Sequence, residues 1–118
     1  MRLHLLILSL LAMTFGNVAA HAHAMLDRVS PSVGSTVASA PREVSLTFTQ
    51  NLESAFSSVQ VTGANGARVD QGKPQISGNT MRVSLKSLSP GTYRVRRQAL
   101  SVDTHKTEGN FTFHVGGP

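Results

Sequence analysis

Apolar and polar residues alternate with period two along much of the chain. Val44, Leu46 and Phe48 are separated by Ser45 and Thr47, Val59 and Val61 by Gln60, and Met81, Val83 and Leu85 by Arg82 and Ser84. Tyr93 and Val95 form another such row, and Phe111, Phe113 and Val115 form the last. Successive side chains of a strand point to opposite faces, so each row predicts a strand with one buried and one solvated face. Turn chemistry punctuates the rows at Ser30-Pro31 with Gly34-Ser35, at Gln71-Gly72-Lys73-Pro74, at Gly78-Asn79 and at Ser89-Pro90-Gly91. Asn65-Gly66 predicts a hairpin, with Arg68-Val69 starting its return strand. Gln75 to Ser77 reads as a short edge strand, and Met25 and Leu26 are core candidates in a stretch of weak alternation. No segment carries apolar residues at helical spacing for two turns; Ser54 to Ser58 has room for one turn. About seven strands, recurring roughly every 8–12 residues, predict an all-β, immunoglobulin-like Greek-key sandwich or barrel.

One apolar run breaks this pattern. Leu3 to Phe15 follows Arg2 and is interrupted only by His4, Ser9 and Thr14, and Val18-Ala19-Ala20 then offers small residues. This is the layout of a secretory signal cleaved after Ala20. Residues 1–20 are therefore expected to be removed on export, leaving one domain over residues 21–118. No second apolar run approaches the ~20 residues of a membrane span. Cysteine is absent from the 118 residues, which excludes disulfides, thiolate metal sites and a lipid-anchored cysteine.

The net charge is +5 with histidine neutral, and Arg94, Arg96, Arg97 and Lys106 supply much of the excess. The plain reading is a solvated strand face; an acidic partner or an anionic lipid is the alternative. Aromatic residues are not interleaved with the basic ones, so no nucleic-acid partner is expected.

Cleavage after Ala20 makes His21 the first residue, offering an α-amine and an imidazole to one ion. Cu(II) matches a nitrogen-rich tetragonal set best, whereas Zn(II) favours a tetrahedron. Asp103 and His105 lie two residues apart, so in an extended segment both point the same way. Added to His21, they give three nitrogens and one oxygen. His23 offers a rival: a free amine with histidine third in line can wrap Cu(II) locally, and otherwise His23 is an alternate or neighbouring ligand. His114, on the polar side of the last row, reads as a surface residue.

The residues that carry a family likeness are His21-Ala22-His23, Ser30-Pro31 with Gly34-Ser35, Leu46-Thr47-Phe48 with Asn51-Leu52, and Leu88-Ser89-Pro90-Gly91-Thr92-Tyr93-Arg94-Val95. Leu100-Ser101-Val102-Asp103-Thr104-His105 and Gly109-Asn110-Phe111-Thr112-Phe113 complete them. Together they resemble the CopC family of periplasmic copper-resistance proteins over essentially all of residues 21–118. The resemblance implies a small β-sandwich that binds one Cu(II) per chain through His21, Asp103 and His105. It implies a monomeric copper carrier or buffer, not an enzyme, working beside a membrane copper-uptake protein of the CopD type. Two alternatives stand: an oxidative copper enzyme with an N-terminal histidine brace, and a metal-free immunoglobulin-like interaction module. Some family members carry a methionine-rich Cu(I) site. After the leader this chain has only Met25 and Met81, both read as core residues, so no such site is expected. Gln50 and Arg97 stand where the family usually has Glu and Trp.

Overall fold

A computed structural model describes residues 25–117. Eight strands are present: β1 (Leu26–Ser30), β2 (Thr36–Val37), β3 (Glu43–Phe48), β4 (Ser58–Gly63), β5 (Asp70–Ser77), β6 (Thr80–Leu85), β7 (Gly91–Leu100) and β8 (Lys106–Val115). Ser54–Phe56 makes a single 3-10 turn. The strands form two four-stranded sheets, ordered β1-β3-β6-β5 and β2-β8-β7-β4. Pairing is antiparallel except between β2 and β8. Only β5–β6 and β7–β8 are joined within one sheet; every other connection crosses to the opposite sheet. Among the described residues no helix is long and apolar enough to cross a membrane.

The alternating rows become the inner faces. Val44, Leu46, Phe48, Val59, Val61, Met81, Val83, Leu85, Tyr93, Val95, Phe111, Phe113 and Val115 are all buried in one cluster between the sheets. Tyr93 stacks on Phe113 with ring centroids 5.6 Å apart. Its hydroxyl donates to the Ser89 carbonyl at 2.6 Å, so the polar tip of a buried ring is satisfied.

Four local expectations are corrected. First, residues 26–30 form a full strand on β3. Its register slips between Leu26 and Arg28, and such an irregularity erases the alternation that would have revealed it. Second, Met25 is 57% exposed, whereas Met81 is fully buried. Third, the Asn65-Gly66 turn forms, with Gly66 at φ +85°, but its return is one bridge between Thr62 and Arg68. The chain then crosses to the other sheet as β5, an eight-residue strand rather than a three-residue one, paired with β6 on both sides of a register shift between Gln71 and Gln75. Asp70 explains the departure. Its carboxylate accepts the Val61 N–H at 2.9 Å, where a continuing strand would present a carbonyl, and Arg68 holds it at 2.7 and 2.8 Å. Fourth, Arg97 does not join the solvated face. It takes an inward position of β7, with its guanidinium over the Phe48 ring at 5.7 Å.

Candidate metal centre

The β7–β8 connection holds Asp103 and His105. Ser101, fully buried, directly follows β7 and organises the turn. Its N–H donates to the His105 carbonyl at 3.0 Å, and its carbonyl accepts the Thr104 N–H at 2.8 Å. Its hydroxyl accepts the His105 N–H at 3.3 Å and has the Asp103 carboxylate and the His105 carbonyl as acceptors. Thr104 lies at φ +72°, a left-handed conformation that costs a β-branched residue on the order of 1–2 kcal/mol. The Ser101 bonds on either side over-determine the turn and hold that strain.

The result places His105 Nδ1 3.4 Å from Asp103 Oδ1. The pair meets through a tight turn, not through the extended geometry that the two-residue spacing suggested. The Ser101 hydroxyl, and after it His105, hold the Asp103 carboxyl below the usual carboxylate range. Asp103 is thus ionised at neutral pH, the form that donates to a metal or orients a ligating imidazole.

The loop is fixed to the segment that follows β3. Val102 N–H donates to the Asn51 carbonyl at 3.0 Å, Glu53 N–H donates to the Leu100 carbonyl at 2.8 Å, and Leu52 bridges Ser101. The entry to β1 is fixed to the start of the same segment. Met25 N–H donates to Thr49 Oγ1 at 2.9 Å, and Thr49 N–H donates to the Met25 carbonyl at 2.9 Å. Met25 and Val102 are therefore tethered two residues apart on one strand exit, at Thr49 and Asn51.

His21, His23 and the expected leader, residues 1–20, lie outside the described residues. Among the described residues no group of three or more His, Cys, Asp or Glu side chains is assembled, so Asp103 and His105 stand as a pair. His114 takes no part: it lies on the outer face, with Nδ1 2.9 Å from Thr92 Oγ1. Ser101 is the residue that motif reading passed over. Its place in the inward row after Tyr93, Val95 and Ala99 was the available signal, since a polar residue at a core position needs a partner.

The CopC domain profile matches residues 26–116, nearly all of the described sandwich. Copper resistance protein C of Escherichia coli is 36% identical over 107 residues, covering 82% of this chain and 84% of that protein. The crystal structure of CopC from Methylosinus trichosporium OB3b superposes with a TM-score of 0.75 at 30% identity, covering 80% of this chain and 95% of that one. PcoC from Escherichia coli, described as a methionine-rich copper resistance protein, superposes at 0.67 with 36% identity, covering 80% and 99%. This chain belongs to the CopC family of copper resistance proteins.

Proposed function

We propose that the chain is an exported, periplasmic Cu(II) carrier, not an enzyme, that holds one ion per chain through the His21 amine and imidazole, the Asp103 carboxylate and the His105 imidazole. One observation carries this reading: the strand exit at 49–52 tethers both the Asp103–His105 turn and the backbone of Met25. From Met25 back to His21 is four residues, a reach of up to about 14 Å. A terminus freed by cleavage after Ala20 can thus be brought to the turn without disturbing a strand. In this set an anionic carboxylate and three nitrogens balance a divalent charge, and the donor types favour a tetragonal cupric ion. Copper is cargo here, and a site filled by protein ligands favours holding over turnover. The monomer carries the ion to its acceptor, with a CopD-type membrane protein as the candidate. His23 competes as a local chelate when the sandwich is unfolded.

The experiment is mass spectrometry of the mature N-terminus followed by Cu(II) titration of the wild type and of His105→Ala. The reading expects a chain starting at His21 and a steep loss of affinity in the variant. An unchanged titration would remove His105 from the site, and a retained or blocked leader would remove the amine.

A further inference from the structure

A groove of about 770 Å³ lies away from the copper loop. It follows the β4 edge of the β2-β8-β7-β4 sheet, with outward residues of β4, β7 and β8 along one side and Arg68 and Pro74, beyond that edge, on the other. Strand register sets its floor. Arg96 lies between Gln60 and Asn110, and Gln98 pairs with Glu108. A second depression of about 410 Å³ continues it past Arg94 and Arg96. Both arginines are exposed on one side of β7, two residues apart.

The charge on this face is unbalanced. Arg94, Arg96 and Lys106 are set against Glu108, and the ion pairs among the described residues are Arg68–Asp70, Arg82–Glu43 and His105–Asp103. Among the described residues neither Arg94 nor Arg96 is paired with a carboxylate. Arg94 instead donates to Asn110 Oδ1 at 2.7 Å, a neutral acceptor.

We propose that this groove docks an extended, carboxylate-rich segment of a partner protein. Same-side residues of an extended chain recur about every 6.6–7 Å, which is also the spacing of Arg94 and Arg96 along β7. An acidic residue at every second position therefore meets one guanidinium after another, and each fork can take a carboxylate in bidentate fashion. Gln60 and Gln98 offer amides to the segment's main chain. A bilayer is the poorer occupant: the groove is concave, and the exposed large apolar residues Met25, Val33, Phe56 and Val102 all lie outside it. The groove and the Asp103–His105 turn share β7 and β8, with the turn roughly 13 Å further along the ladder.

The test is fluorescence anisotropy of the full mature protein with a labelled eight-residue Ser-Glu repeat peptide at low salt. Binding should weaken at least tenfold in Arg94→Glu/Arg96→Glu and again on raising the salt tenfold. It should vanish for the Ser-Gln peptide. Arg28→Glu/Lys86→Glu, which makes the same charge change on exposed residues outside the groove, should stay within twofold of wild type. If the charge-reversed pair fails to fold by circular dichroism, Arg94→Gln/Arg96→Gln gives the same reading. Equal weakening in the control pair, or no peptide binding at all, overturns the proposal. So does co-sedimentation with phosphatidylglycerol vesicles without peptide binding, which would make the face a membrane surface.

Discussion

Ser101 and His105 are joined at both ends of the His105 main chain: the buried serine hydroxyl accepts the His105 N–H at 3.3 Å, and the Ser101 N–H reaches the His105 carbonyl at 3.0 Å. The same hydroxyl faces the Asp103 carboxylate. One side chain with no metal-binding role of its own therefore fixes both candidate ligands. Ser101→Ala should lower stability by about 1–2 kcal/mol, the cost of leaving buried partners unsatisfied. It should also weaken Cu(II) binding by roughly 10–100-fold, as loss of a ligand-orienting group does. Urea melts and Cu(II) titration of the same variant check the two effects separately.

Asp70 makes part of the fold's stability depend on pH. The Arg68 hydrogen bond, helped by the Val61 N–H, holds its carboxyl below the ordinary value despite burial. A depressed folded-state pKa contributes stability that is fully present above the unfolded value, near 3.9, and is lost as pH falls through the folded value. Asp70→Asn should therefore destabilise the protein by about 1–3 kcal/mol at pH 7, with Arg68's exposure keeping the figure toward the lower end. The gap from wild type should narrow as pH falls below the unfolded value. Denaturant melts across pH 2.5–7 measure it; a gap independent of pH would contradict the assignment.

Arg97 and Gly109 form a fitted pair. A Cβ on Gly109 would stand 2.7 Å from Arg97 Nη2 and 3.0 Å from Cζ, so the guanidinium lies flat where a side chain would otherwise be. Nη1 is buried with no hydrogen-bond partner among the described residues, and burial lowers the arginine's pKa. Gly109→Ala should push the guanidinium off Phe48 and cost about 1–3 kcal/mol. Arg97→Met, apolar and of similar length, should be close to neutral or stabilising, because it removes a desolvated charge. In the double variant the Gly109→Ala penalty should largely disappear. A double-mutant cycle by thermal melts reads that coupling, and strict additivity would contradict the packing account.

In the proposed site, protons compete with the metal for the His21 amine and both imidazoles. Cu(II) affinity should therefore fall steadily from pH 8 to pH 5. Competition titrations with a Cu(II) indicator at several pH values check the trend. A flat profile would point to carboxylate ligands alone.

The sandwich was legible because burial imposes period two, and rows such as Met81-Val83-Leu85 and Phe111-Phe113-Val115 show it without interruption. β1 was obscured by its slip at Asp27, and β2 is two residues long, too short to show any period. Arg97 misled because it looks like its exposed neighbours Arg94 and Arg96; only parity with Val95 and Ala99 placed it inside. At the candidate site, Asp103 and His105 could be named from residue type and spacing. The way they meet could not, since it depends on a threonine in a left-handed conformation and a serine four residues before the histidine. Their loop's tether to Asn51–Glu53 joins segments about fifty residues apart, and spacing carries no record of such contacts.

The central claim is that a freed chain end and a distant loop hold one cupric ion together. Electron paramagnetic resonance of the Cu(II)-loaded chain beginning at His21, compared with its His105→Ala variant, tests this most directly. The account predicts one tetragonal copper signal with three coupled nitrogens, one of which is lost in the variant. Identical spectra from the two proteins would contradict it.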